Sequence, residues 1–154
     1  ELNEKFAHKL DFVERMHDFY AARAAKRSAL PLLVAGDLNI APEENDVWSH
    51  RQLLNVVSHT PAETDGLKRV LADGKLTDIA RAKHPANEKL YTWWSYRAAD
   101  WRLSNRGRRL DHWWADKRAT PLVDIASYQI HPEERGGEKP SDHVPVTVSV
   151  AVPT

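Results

Sequence analysis

Two short stretches carry side chains that could do chemistry. Asp37 and Asn39 follow the apolar run Leu32, Leu33, Val34 and Ala35, which Gly36 ends. The length and composition of that run suit a strand buried on both faces. On a strand, residues two apart point to the same side. An acceptor-only carboxylate beside a donor-capable amide is a pairing that metal-assisted hydrolysis uses, one group drawing a proton or cation and the other orienting a nucleophile. A strand closed by an Asp/Asn turn would show the same residues. The second stretch reads Lys139-Pro140-Ser141-Asp142-His143-Val144-Pro145-Val146. Asp142 and His143 are adjacent, so in extended backbone they point to opposite sides. Ser141, Asp142 and His143 therefore do not form one relay, because a triad is assembled from different elements. A carboxylate on another strand is the better partner for His143, and Asp111 is the best-placed candidate. That pairing would hold the ring and favour imidazolium, suited to an anionic substrate. Taken alone, Asp142-His143 reads equally as an exposed loop end.

These residues must be positioned by the elements around them. Phe6, Leu10, Val13, His17, Tyr20 and Ala24 follow helical spacing, with Leu2 before them and Phe12, Met16 and Phe19 widening the stripe. The spacing predicts one long helix over about 3–27, ended by Ser28 and Pro31, with Lys9, Arg15, Arg23 and Lys26 on its solvated side. A helix leading into a buried strand implies a layered fold of sheet and helices. Residues 47–57 are expected to hold a short helix. Thr60-Pro61-Ala62-Glu63 is a helix start with a capping box, and Gly74 suits the stop. Residues 76–83 read as another helical piece. Residues 90–96 (LYTWWSY) read as a strand, 97–107 as an Arg-bearing loop, and 109–115 (RLDHWWA) as the next strand. There Arg109, Asp111 and Trp113 would share one face, and Leu110, His112 and Trp114 the other. Residues 122–130 form a third strand candidate, 131–140 a surface loop, and 144–152 a half-buried closing strand with Val at alternate positions.

The length of 154 residues suits one domain with a real core. Lys plus Arg and Asp plus Glu number 22 each, so any nucleic-acid surface must be local. The absence of cysteine excludes disulfides and thiolate metal sites and fits a reducing, cytoplasmic setting. No apolar run is long enough to span a bilayer, no signal-peptide pattern opens the chain, and no initiator Met precedes its first helix.

Taken in order, Gly36-Asp37-Leu38-Asn39, Thr92-Trp93-Trp94-Ser95-Tyr96-Arg97, Asn105-Arg106-Gly107-Arg108-Arg109-Leu110-Asp111 and Pro140-Ser141-Asp142-His143-Val144-Pro145-Val146 resemble the exonuclease III family. These are the class II abasic-site endonucleases of the endonuclease/exonuclease/phosphatase superfamily. The resemblance implies an α/β fold: the C-terminal half of a four-layered sandwich, with mostly antiparallel or mixed sheets flanked by helices. It implies Mg²⁺-dependent hydrolysis of DNA phosphodiesters, by incision beside abasic sites and 3′→5′ exonuclease action on duplex DNA. Asp37 matches the residue that activates water and Asn39 the one that orients it. His143 matches the histidine on the scissile phosphate, steadied by Asp111. Asp142 matches a carboxylate at or near the metal, with Asp37 and Asn39 as further ligand candidates. Trp93 and Leu110 match the pocket for the extruded sugar, and Arg108 stands where some relatives carry an aromatic. Arg97, Asn105, Arg106, Arg108 and Arg109 would supply contacts to DNA, while Arg102 is better read as solvated. His112 replaces an apolar residue common in relatives and is assigned no role. Carboxylates, an amide and a histidine without cysteine suit Mg²⁺ or Mn²⁺ better than zinc.

The segment that in this family supplies the main metal-binding Glu, a second Asn and a phosphate-contacting Tyr has no match here. Glu1 and Glu4 lie on the opening helix, and Tyr20 lies in its buried stripe. The expectation is a single domain, 1–154, lacking its N-terminal half. Alone it would be inactive or very weak, needing that half or a self-association to cover its bare sheet. The rival readings are a non-catalytic DNA-binding fragment and another phosphoesterase of the superfamily, such as a phosphoinositide phosphatase, sphingomyelinase or deadenylase.

Overall fold

The computed structural model describes residues 3–27 and 30–152, so Glu1 and Leu2 at the start of the expected first helix, and Ser28 expected to end it, lie outside the described residues. Helix α1 runs over Glu4–Ala24. Asn3 caps it, its side chain accepting the Phe6 N–H at 3.1 Å. Only Phe6 and Val13 are buried along it, and Phe12 and Phe19 are exposed. The apolar stripe is therefore narrower than its composition suggests. Two of its basic residues are not simply solvated. Lys9 bonds Glu63 at 2.5 Å, and Arg23 donates to the Leu30 carbonyl.

Strand β1, Leu33–Asp37, pairs antiparallel with β5, Asp111–Asp116. On the far side of β5 lies β2, Leu76–Asp78, giving a three-stranded sheet of order β1-β5-β2. The expectation that the first strand is buried on both faces is corrected here. β1 is an edge strand, and Ala35, Gly36 and Asp37 are exposed. The apolar run serves two different faces over only its first residues: Val34 packs with Val13, Leu67, Val70 and Trp114, while Leu33 packs with Ile79, Ala115 and Tyr128. Trp113 and Trp114 divide between the same two clusters, as strand alternation requires.

Helix α2 covers His50–Leu53, shorter than the sequence suggested, and α3 covers Pro61–Asp73. The α3 capping box between Thr60 and Glu63 is formed, with Pro61 in the first turn. α1 and α3 together cover one face of the sheet, where burying Leu67 and Val70 completely contributes about 1.5–3 kcal/mol each. Gly74 does end α3, but at φ −74°, and the left-handed residue is Lys75. Glycine is needed there for space, since a Cβ would lie 2.6 Å from the Val70 carbonyl oxygen. The stretch expected as one helical piece divides into β2 and α4, Ile79–Lys83.

The aromatic segment contributes only β3, Trp93–Trp94, paired with β4, Gly107–Arg108. The loop between them holds α5, Trp101–Ser104. Strands β6, Val123–Ile130, and β7, Val146–Val150, form a second antiparallel pair. Their apolar residues Ile125, Ile130, Val146, Val148 and Val150 join Leu33 and Trp113 around α4, on the face of the three-stranded sheet opposite α1 and α3. The result is an α/β arrangement of helices and antiparallel sheets in layers. No described helix is long and apolar enough to cross a membrane.

A buried ion network ties these layers together. Arg109, expected on the DNA-facing surface, is fully buried. Its guanidinium binds Asp46 through Nε and Nη2, both at 2.8 Å, and Asp78 through Nη1 and Nη2 at 3.0 and 2.8 Å. Arg81 adds a 2.5 Å bond to Asp46. A fork of five donors between two carboxylates satisfies a charge that could not otherwise be buried. Burial alone would raise the Asp46 pKa, but Arg109 and Arg81 outweigh it and hold it below the usual carboxylate value.

Candidate active site

Asp37 closes β1, Asp111 opens β5, and the two are direct partners in the antiparallel ladder. Their carboxylates are thus brought together by backbone pairing. Asp111 Oδ2 is then fixed from two sides, by Thr92 Oγ1 at 2.6 Å and His143 Nδ1 at 2.8 Å. Thr92 is fully buried, and its hydroxyl oxygen accepts the Leu110 and Asp111 N–H groups at 2.9 and 3.2 Å. Its own proton is therefore directed to the Asp111 carboxylate.

His143 is carried by the segment entering β7. That segment is stitched to β3: Trp94 N–H donates to the Asp142 carbonyl at 3.0 Å, and Val144 N–H to the Thr92 carbonyl at 2.9 Å. With Nδ1 on Asp111, the ring presents Nε2 to Asp37 Oδ2 at 3.7 Å. One ligand atom each from Asp37, Asp111 and His143 lies within 4.8 Å of the others. Burial pulls the imidazole pKa down, but the Asp111 hydrogen bond and the charges of Asp111, Asp37 and Asp142 outweigh it. The net shift is upward. A ring held at Nδ1 and biased toward its charged form, with Nε2 partly open, is suited to an anionic group.

Asn39 does not share a strand face with Asp37. It lies beyond β1 at φ 53°, a conformation that asparagine tolerates. Its N–H donates to Asp37 Oδ1 at 2.8 Å, so the Asp/Asn turn and the candidate site are the same feature. The carboxamide is set by Ser58, whose hydroxyl donates to Asn39 Oδ1 at 2.7 Å. That leaves the NH₂ end as the one available to a ligand. Ser58 is held in turn by buried Glu63, whose carboxylate accepts its N–H at 2.9 and 3.1 Å. Lys9 joins Glu63 to the Asn39 carbonyl, at 2.5 and 2.6 Å. Sequence reasoning missed Ser58, Thr92, Lys9 and this second use of Glu63. Only the α3 capping box pointed to one of them.

Asp142 stands apart from the trio. Its Oδ2 accepts the Trp93 indole N–H at 2.9 Å, as expected for a side chain pointing opposite to that of His143. Trp93 is half-buried and lines a cavity of about 500 Å³ with Trp48, Arg97, Arg106 and Arg108. Arg106 lies over Trp48 at 4.7 Å and Arg108 over Trp93 at 5.3 Å, making the cavity both aromatic and cationic. Two expected contact residues are corrected. Leu110 is 4% exposed and packs with Ala41, Val47 and Leu53 behind Trp93, so it supports the wall without lining it. Asn105 caps α5 at φ 45° and accepts the Trp94 indole N–H at 3.0 Å, a structural role away from this cavity.

With the geometry in view, three relatives are informative. Exodeoxyribonuclease III of Haemophilus influenzae is 32% identical over 151 residues, covering 93% of this chain and 51% of that protein. The structure of an AP endonuclease from Archaeoglobus fulgidus superposes with a TM-score of 0.85 at 31% identity, covering 97% of this chain and 56% of that one. The 3′ phosphatase NExo from Neisseria, bound to a product DNA hairpin, gives 0.84 at 27% identity, covering 97% of this chain and 56% of that one. The chain thus spans about half the length of the curated relatives it matches. The Endonuclease/Exonuclease/phosphatase family matches residues 12–143, and the chain belongs to that family, with exodeoxyribonuclease III and AP endonucleases among its relatives.

Proposed function

We propose that this chain is the part of a DNA-repair nuclease domain that carries Asp37, Asn39, Asp111 and His143, and that the completed domain hydrolyses phosphodiesters at abasic sites and 3′ ends of duplex DNA. The observation that carries the reading is the line Asp111–His143–Asp37, with a raised imidazole pKa between two carboxylates. In this reading His143 donates to a phosphoryl oxygen of the scissile group and Asp111 keeps its ring in place. Asp37 takes the proton of the attacking water, which the Asn39 NH₂ orients. Trp93 and Arg108 hold the sugar and phosphate beside the break, and Arg97 and Arg106 extend the contact along the strand.

The donors fit a hard divalent cation. The site offers carboxylate oxygens, and its one imidazole is tied to Asp111 and biased toward the charged form. Asp37 would hold Mg²⁺ or Mn²⁺; of the other expected ligands, Asn39 has its amide oxygen on Ser58 and Asp142 has its Oδ2 on the Trp93 indole. The ion would supply charge to the phosphoryl oxygens.

The exposed edge of β1 and this short set of acidic donors support a single domain completed by a further segment, or by self-association, before full activity is reached. The test is cleavage of abasic, 3′-phosphate and undamaged duplexes, beside a phosphoinositide, with Mg²⁺ and with EDTA. The chain would be assayed alone and joined to the N-terminal half of a relative. Metal-dependent cleavage of DNA by the joined protein, lost in His143→Ala, is expected. Robust incision by the chain alone would overturn the need for completion. No DNA cleavage in either form, or a preference for phosphoinositide, would overturn the nuclease reading.

A further inference from the structure

A second cavity, of about 560 Å³, lies on the other side of the Trp94–Trp101 pair, whose rings are 5.3 Å apart. Both indoles also line the cavity beside Trp93, so the two spaces share one wall. Lys83, Lys89 and Arg102 bring positive charge to this second cavity. Among the described residues no Asp or Glu lines it, although the chain balances 22 acidic against 22 basic residues. Lys83 Nζ donates to the Tyr128 carbonyl and Lys89 Nζ to the Trp48 carbonyl, both at 2.6 Å. Each ammonium therefore keeps two further donors. The aromatic side is as distinctive. Trp101 lies under the Arg102 guanidinium at 5.2 Å, and a second guanidinium, that of buried Arg135, stands 5.7 Å from the same ring.

Cations without a paired carboxylate call for an anion, and flat rings call for a π-face. An inorganic anion would leave the rings unused, a neutral aromatic would leave the cations unused, and an acidic peptide would not stack. A phosphorylated heteroaromatic uses both, and the volume lies within the range of small-molecule pockets. We infer that this cavity is a nucleotide subsite, with the base against Trp101 and its phosphate among Arg102, Lys89 and Lys83. The inference goes beyond the proposed hydrolysis and does not rest on it, since neither Asp37 nor His143 takes part. The nucleotide can come from two sources, a free mononucleotide or a single strand running past the shared tryptophan wall.

Calorimetric titration of the metal-free chain in EDTA tests this, using deoxyadenosine monophosphate, oligothymidylate of about eight nucleotides, and inorganic phosphate. Saturable binding of either nucleotide ligand is expected, with a shift of the Trp101 indole N–H resonance. Tighter binding of the oligonucleotide identifies the strand as the source, and binding of the mononucleotide at least as tight identifies the free form. Arg102→Glu, at an exposed position, should weaken binding by about tenfold or more, while Arg102→Lys keeps most of it. Failure of both nucleotide ligands to bind, phosphate binding as tightly as the mononucleotide, or an Arg102→Glu variant that is folded by circular dichroism and binds normally would each overturn the inference.

Discussion

Acid should loosen this fold through one residue behind the candidate site. His112 is 3% exposed. Its Nε2–H donates to the Ile40 carbonyl at 2.8 Å, and its Nδ1 lies 3.4 Å from Arg109 Nη1, which donates toward it. A second proton would have to enter facing a buried guanidinium. Burial, and then the charge of Arg109, push the imidazole pKa down to about 4. An unfolded chain protonates the same ring near its ordinary value of about 6.5. Below that value the unfolded state takes up a proton that the folded state refuses. Stability from neutral His112 is therefore complete above about pH 6.5 and falls by about 1.4 kcal/mol for each pH unit below it. The loss reaches about 3 kcal/mol by the folded pKa. His112→Leu removes the titrating group. It also leaves the Ile40 carbonyl without its donor, costing about 1–3 kcal/mol at neutral pH. Urea unfolding of both proteins between about pH 7.5 and 4.5 gives the comparison. The wild-type advantage should shrink steadily on acidification and vanish or reverse near the acid end. A gap constant within about 0.5 kcal/mol would refute the reasoning, because the remaining groups titrate alike in both proteins.

Three further outcomes are expected. In metal-free protein, the His143 imidazole should titrate above its ordinary value by NMR, and Asp111→Asn should bring the midpoint down; an unmoved midpoint would remove Asp111 as the cause. Ser58→Ala frees the Asn39 carboxamide, and in the completed nuclease it should lower kcat by about tenfold with KM little changed; equal loss in both would mark a purely structural residue. Asp46→Asn leaves the charge of buried Arg109 partly uncompensated and should cost about 3–5 kcal/mol in urea unfolding, whereas a loss under about 1 kcal/mol would mean that Asp78 alone suffices.

Much of the site was legible because its chemistry sits in short segments. Gly36-Asp37-Leu38-Asn39 and Ser141-Asp142-His143 are local patterns, and the pairing of His143 with Asp111 followed from the need for a carboxylate on another strand. The α3 cap was legible for the same reason, being a contact between neighbours in the chain. What was not legible depends on distant partners. Arg109 lies beside Arg108 in the sequence, yet one is locked between Asp46 and Asp78 while the other stacks on Trp93. Nothing in their residue types separates them, because burial of a charge is decided by carboxylates that arrive from 31 and 63 positions away. Lys9 and Ser58 likewise gain their roles only when α1 and the turn before α3 meet at Asn39. The amino-acid order thus determined which groups can bind, orient or donate, through propensity and local hydrogen bonding. Tertiary structure decided which carboxylate meets which cation, since a hydrogen bond between remote residues exists only after packing has fixed both ends.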